Sequence, residues 1–192
     1  MNEIFLEKSA LRKKIKDKIK VICENKNDKN QQEKEICQKI INSQEYKKAS
    51  LILAYSALSD EVDLSELLEN AFAQGKIVAL PVVNGDEMNF FLTSSTSLLE
   101  KGAFGIMEPS KTSENLIGSE NILENTLILV PGRAFTKAGK RLGRGKGYYD
   151  KWFSTMEDKA NQLVKWGICF PCQLVDDLPS DENDIPMDQV VF

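Results

Sequence analysis

Histidine is missing altogether from the 192 residues, and that gap removes more chemistry than any other feature of the chain. Ser–His–Asp and Cys–His nucleophilic sites and imidazole proton shuttles are excluded. Carboxylates, lysines, arginines, tyrosines and a bound metal remain. Phosphoryl transfer can run on that set, because it rests mostly on positioning and electrostatic stabilisation. Cysteine is scarce, with only Cys23, Cys37, Cys169 and Cys172. Cys169-Phe-Pro-Cys172 has CxxC spacing, but no second ligand pair completes a zinc site. It also lies late in the chain instead of opening a helix after a first strand, unlike thioredoxin-like motifs. Free, semi-buried thiols are the expectation. No apolar run approaches the ~20 residues that span a bilayer, so no membrane partner is expected. The first twenty residues are too polar for a signal peptide, and Glu3, Glu7 and Asp17 argue against a transit peptide, which points to the cytosol. An excess of positive charge is also lacking: the net charge is −4, which speaks against wholesale binding to nucleic acid.

What is present suits one globular domain over residues 1–192, with 42% hydrophobic residues to build a core. Ile4, Leu11, Ile15, Ile19 and Ile22 recur at helical spacing among many lysines. A polar stretch, 24–32, separates this first helix from a second with the apolar stripe Ile36, Cys37, Ile40 and Ile41. Residues 50–55 form a continuous apolar run of strand length, as expected when both faces are covered. Asp63 and Glu66 resemble a capping box ahead of Leu64, Leu67, Leu68, Ala71 and Phe72, and Gly75 closes that helix. Residues 76–81 read as a second buried strand, completing a β-α-β unit with parallel strands and a right-handed crossover. Further strands are expected at 88–92, 126–131 and 164–170, with an edge strand at 188–192. Residues 93–121 read mostly as loop with a short helix, 132–147 as a long connection, and a helix starts near Tyr148. The expectation is a three-layer α/β fold: an open, mostly parallel sheet with helices on both faces. Ligands in such sheets sit beyond the carboxyl ends of the strands, and connections as long as 132–147 are uncommon unless functional.

Within that connection, Gly143-Arg-Gly-Lys-Gly147 alternates glycines with cations just before a helix. Glycines let the backbone approach a ligand closely, and successive amides plus a helix N-terminus attract an anion. Arg141, Arg144 and Lys146 add the charge that a polyphosphate needs. The spacing is neither Walker A nor GxGxxG, so this is a phosphate loop of another type, or else a flexible basic surface loop. Tyr148 and Tyr149 either stack on a planar ring or pack the helix on the sheet. Asp150 stands in the helix's first turn, where the dipole favours it in any case; beside a phosphate it is also a candidate Mg²⁺ ligand.

The segment Val130-Pro-Gly-Arg-Ala-Phe-Thr-Lys-Ala-Gly-Lys-Arg-Leu-Gly-Arg-Gly-Lys-Gly-Tyr-Tyr-Asp150 resembles the signature of the 5-formyltetrahydrofolate cyclo-ligase (methenyltetrahydrofolate synthetase) family. Lys8-Ser-Ala-Leu-Arg12, Ser59-Asp-Glu-Val-Asp63, Phe104-Gly-Ile-Met-Glu-Pro109, and Gln173 with Glu182-Asn-Asp184 resemble further family elements, in order. The resemblance implies a fold akin to the sugar-isomerase and CoA-transferase group. It implies ATP as co-substrate, Mg²⁺, and cyclisation of 5-formyltetrahydrofolate to 5,10-methenyltetrahydrofolate with release of ADP and phosphate. It further implies that Lys8, Arg12 and Arg141, Leu142, Gly143, Arg144, Gly145, Lys146, Gly147, Tyr148 and Tyr149 meet ATP. Ser56 and Glu61, with Arg144, Gly145, Lys146, Gly147 and Tyr148, would meet the folate, and Asp150 and Asp184 the metal. Arg141, Arg144 and Lys146 would carry the catalytic charge. Arg133 and Thr136 depart from the family pattern and are given no role. Two other readings compete: a different phosphometabolite enzyme on the same scaffold, and an RNA-contacting module built on the Arg-Gly-Lys-Gly-Tyr-Tyr run. The second sits badly with a pI of about 5.1. A monomer is expected.

Overall fold

The computed structural model describes residues 3–102, 105–180 and 184–192; Phe104, Glu182 and Asn183 of the family-like elements lie outside these. Helix α1, Glu3–Glu24, buries Ile15 and Ile19 on one stripe and leaves most of its lysines exposed. The chain turns at Asn25, whose side chain accepts from the Asp28 amide, and re-enters helix as α2, Lys26–Asn42. The separator expected at 24–32 is therefore a single residue. The first two turns of α2 are mostly exposed and polar, so no apolar period betrayed them. Ser43 caps a short helix α3, Gln44–Lys48, too brief for any periodic signal.

Strand β1, Leu51–Leu53, leads through residues 54–64 to α4, Ser65–Ala73. The expected capping box is absent. The cap is Leu64, which bonds nothing through its side chain. Asp63, one residue too early, instead accepts from the Ser65 amide (2.9 Å) and hydroxyl (2.6 Å), and Glu66 is drawn across to Gln38 of α2. Gly75 closes α4 as expected, in the left-handed region at φ +68°. Strands β2, Ile77–Asn84, and β3, Glu87–Thr93, form an antiparallel hairpin, so β2 continues past Pro81 and the strand expected at 88–92 is its partner. The described residues of 93–121 are largely irregular, with 3₁₀ turns at Thr96–Leu98 and Ser119–Asn121 and the small pair β4, Glu100–Lys101, with β5, Met107–Glu108. After β6, Leu127–Pro131, the connection 132–147 is not plain loop. Ala134–Phe135 (β7) pairs antiparallel with Arg141–Leu142 (β8). Then come α5, Tyr148–Thr155, β9, Val164–Ile168, and the edge strand β10, Gln189–Val191.

The main sheet has six strands in the order β10-β9-β6-β1-β2-β3, every adjacent pair parallel except β2–β3. Alternate residues face opposite ways. Ile52, Val78, Leu80, Leu127, Leu129, Trp166 and Ile168 join Ile36, Ile40, Leu67 and Ala71 of α2 and α4 in one core. Leu51, Leu53, Ala79, Phe90, Ile128 and Val130 join Trp152 and Phe153 of α5 in the other. The three-layer, mostly parallel α/β expectation holds. A third, smaller core sets Ile15 and Ile19 of α1 against Ala134, Leu142 and Leu178, which fastens the first helix to the β7–β8 hairpin. No helix among the described residues is long and apolar enough to cross a membrane.

Candidate active site

The chain leaves β1 for β2 on one side and later places β6 on the other, so β1 marks the point where strand order reverses. A crevice opens there beyond the carboxyl ends of these strands. It measures about 450 Å³, within the range of small-molecule sites. Tyr55, Ser56 and Glu61 enter it after β1, Pro81 and Val83 from β2, Met88 from β3, Ile106 and Glu108 from around β5, and Pro131 from the end of β6. The remaining wall is Arg141, Gly143, Arg144, Lys146, Gly147, Tyr148, Tyr149 and Asp150.

The 143–147 segment has the backbone its glycines suggested. Gly145 and Gly147 lie at φ +108° and +69°, and Gly147 is the N-cap of α5. Its cations differ sharply in how they are held. Arg141 donates through Nη2 to both oxygens of Asp150 at 2.8 Å and lies over the Tyr149 ring. Arg144 donates to Glu61 at 2.9 Å and to Asp60, and Asp60 also accepts from Arg133 at 2.5 Å. Burial alone would lower the Arg144 pKa, but Glu61 and Asp60 outweigh it and raise it. The Asp60 carboxyl is likewise pushed up by burial but brought below its ordinary value by Arg144 and Arg133. Lys146, by contrast, is exposed and makes no hydrogen bond or ion pair with any described residue.

The structure thus gathers Ser56, Glu61, Arg141, Gly143, Arg144, Lys146, Gly147, Tyr148, Tyr149 and Asp150 around one crevice. Arg12 lies just behind it, donating to the Gly143 carbonyl at 2.9 Å and packing beside Gly145. Lys8 is buried and holds Asp184 at 2.7 Å, away from the crevice lining. Leu142 is different: its side chain is 2% exposed and belongs to the α1–hairpin core, so only its main chain can meet a ligand. Tyr148 donates to the Gly85 carbonyl at 3.1 Å, and Tyr149 packs edge-on to Phe90; packing and lining coexist for these two. Sequence reasoning passed over Asp60 and Arg133, the counter-ions of the loop. The acidic run at 59–63 was the signal, but nothing local tells which of its carboxylates reaches residue 144, 84 positions away.

Five buried side-chain polar atoms lack hydrogen-bond partners among the described residues, and three of them, Glu108 Oε2, Arg141 Nε and the Tyr149 hydroxyl, belong to crevice residues. Buried polar groups are nearly always satisfied, so this crevice is built for a polar ligand. Burial, with Glu61 adding, raises the Tyr149 pKa well above the phenol value, which keeps its hydroxyl a donor. Carboxylates suit Mg²⁺, but no group of three or more metal-ligating side chains is assembled among the described residues. Of the two expected metal ligands only Asp150 is on the crevice wall, which fits an ion held chiefly by phosphate and water, the usual mode for Mg²⁺. It does not fit an all-protein cage.

The chain resembles known proteins over nearly its whole length. A solved Aquifex aeolicus 5,10-methenyltetrahydrofolate synthetase superposes with a TM-score of 0.79 at 33% identity, covering 96% of this chain and 88% of that one. The Mus musculus 5-formyltetrahydrofolate cyclo-ligase is 28% identical over 193 residues, covering 96% of this chain and 93% of the relative. A Schizosaccharomyces pombe protein named as a probable 5-formyltetrahydrofolate cyclo-ligase is 32% identical over 168 residues, covering 81% of each chain. The sequence model of the 5-formyltetrahydrofolate cyclo-ligase family matches residues 5–192. With the crevice, its glycine-cation loop and these likenesses together, the chain belongs to the 5-formyltetrahydrofolate cyclo-ligase family.

Proposed function

We propose that this protein is an ATP-dependent ligase that cyclises 5-formyltetrahydrofolate to 5,10-methenyltetrahydrofolate, releasing ADP and phosphate. The observation that carries the reading is the crevice itself. A cationic, glycine-rich loop for a polyphosphate shares one cavity with apolar and carboxylate walls that suit a reduced pterin. In this scheme the formyl oxygen attacks the γ-phosphorus and ADP leaves. N10 then attacks the activated formyl carbon, and phosphate departs as the ring closes.

Each residue's part follows from its place. The amides of 143–147 and the α5 N-terminus receive phosphate oxygens. Lys146 supplies uncommitted charge to the transferring group, and Arg144 supplies more once ATP competes for it with Asp60 and Glu61. Arg141 stays with Asp150 and orients it. Arg12, and Lys8 beside it, hold the loop from behind and reach the nucleotide. Ser56 and Glu61 line the folate side with Tyr148. Asp150, and Asp184 if released by Lys8, would hold Mg²⁺, which when bound neutralises phosphate charge. In this reading the enzyme acts as a monomer. We place it in the cytosol, a reducing compartment in keeping with four free thiols.

The test is direct: absorbance at the methenyl product band with purified protein, ATP, Mg²⁺ and 5-formyltetrahydrofolate. Product is expected to form with one ADP per turnover. No product at stoichiometric enzyme would sink the reading.

A further inference from the structure

Arg144 must change partners before a phosphate can use it, and its partners are shared with a second cation. Asp60 offers one oxygen to each of two guanidiniums: Oδ1 accepts from Arg144, and Oδ2 from Arg133 at 2.5 Å. Glu61 accepts from Arg144 Nε at 2.9 Å and from the Leu58 amide at 3.0 Å. Two cations and two carboxylates thus make one charge-balanced cluster. The side chains of Arg133 and Glu61 are only 12% and 9% exposed. Arg144 and Glu61 line the crevice, whereas Asp60 and Arg133 stand outside its lining.

The two guanidiniums are mounted differently. Arg133 is fixed to the β7–β8 hairpin through its own main chain. Its amide donates to the Leu142 carbonyl at 2.7 Å, and its carbonyl accepts from the buried Gln173 side chain at 3.2 Å. Arg144 stands between Gly143 and Gly145, outside helix and strand, with Gly145 at φ +108°. Arg144 is the cation placed to move and Arg133 the one placed to stay. A partly buried carboxylate stripped of its only cation would oppose that movement strongly. Arg133 prevents this, because it keeps Oδ2 when Arg144 gives up Oδ1. It also loosens the hold beforehand, since a carboxylate already matched by one cation attracts a second less.

Resting on the ATP-dependent reading above, we infer that Arg133 is a positioning residue. It keeps Asp60 compensated, so that Arg144 can pass from Asp60 to the phosphates of ATP. Arg133 acts through Asp60 and touches neither substrate.

The test is a double-mutant cycle on Arg133→Leu and Asp60→Asn, read by calorimetry with ATP and Mg²⁺ in the absence of folate. Arg133→Leu should raise the Kd for ATP about 10-fold, and KM for ATP with it, while kcat at saturating ATP stays within about 2-fold of wild type. Arg133→Lys, which keeps the charge, should recover most of the affinity. Asp60→Asn should bind ATP as tightly as wild type or more tightly, and adding Arg133→Leu to it should change nothing further. That last arm separates positioning from a direct phosphate contact or a general field, either of which would persist without the Asp60 charge. An unchanged Kd in Arg133→Leu overturns the inference, as does an equal loss in the Asp60→Asn background, or a fall in kcat with KM for ATP unchanged. Should Arg133→Leu not fold, Asp60→Asn decides alone, and weaker ATP binding there overturns the inference. The calorimetric arms hold whether or not folate is turned over. Wild type that binds ATP but forms no methenyl product therefore sinks only the folate chemistry, and wild type that binds no ATP sinks both.

Discussion

Two cations two residues apart on one loop do different things. Arg144 is paired with Asp60 and Glu61, whereas Lys146 is exposed and pairs with no described residue. A group already matched to carboxylates must exchange one partner for another when a phosphate arrives; an unmatched one gives its full charge to the transition state. Lys146→Ala should therefore lower kcat by about 10²–10³-fold. Because the side chain is exposed and makes no hydrogen bond or ion pair with a described residue, thermal stability should hold within about 2 °C of wild type. Stopped-assay rates and a melting curve on the same preparation check both halves, and near-wild-type activity would remove the clamp role. The Asp60 cluster makes a pH prediction. Its carboxyl titrates below the usual value when folded, so the stability it contributes is present above about pH 4 and is lost as pH falls through the folded pKa. Asp60→Asn should flatten that acid limb. Urea midpoints followed from pH 6 to pH 2.5 should fall less steeply in the variant than in wild type; parallel falls would mean the cluster carries no acid-sensitive stability.

At the scale of elements, what could be read from sequence depended on how local its cause was. The 143–147 loop was legible because glycine alternation and charge are properties of adjacent residues, and α5 begins at Tyr148 as expected. The β7–β8 hairpin was not legible, since its strands are two residues each and are fixed by non-local contacts. Gln173 donates to the Gly132 carbonyl at 2.7 Å and to that of Arg133 at 3.2 Å, and Met187 donates its amide to Gly139 at 2.9 Å. The false capping box fails for the same reason: Glu66 has a better partner on α2 than on its own helix. Gly139 is where the hairpin turn meets the C-terminal segment. It sits at φ +91°, and a Cβ there would stand 2.1 Å from the Met187 carbonyl oxygen. Gly139→Ala should cost about 2–4 kcal/mol, from left-handed backbone plus overpacking against main chain that cannot rotate away. Gly147→Ala, at φ +69° with open space around it, should cost only about 1–2 kcal/mol. Equal losses in chemical denaturation would mean the Met187 contact relaxes without cost.

At the scale of the molecule, the continuous apolar runs joined through a helical segment predicted a parallel sheet, and the reversal of strand order around β1 puts a crevice where such folds bind ligands. The pattern did not say which distant segments would close that crevice. Asp60 and Glu108 stand in segments that resembled family elements, but nothing local says which of their side chains reaches the crevice or its loop, and only the fold brings them there. A site assembled from segments scattered over the chain should report ligand binding through the stability of the whole. A ligand at about 100 times its Kd stabilises the folded state by about 2.7 kcal/mol, or about 5–10 °C in a chain of this size. ATP with Mg²⁺ and 5-formyltetrahydrofolate should each raise Tm on that scale, and together by more than either alone, since both occupy one crevice. A shift with ATP and none with the folate would favour a different phosphometabolite enzyme on this scaffold. A salt-sensitive shift with single-stranded RNA, and none with the folate, would favour the binding-module reading. With a net charge of −4, and with Arg141 and Arg144 paired to acids inside the crevice, the expected RNA shift is nil, because most of the positive charge on this loop is aimed inward at a small ligand.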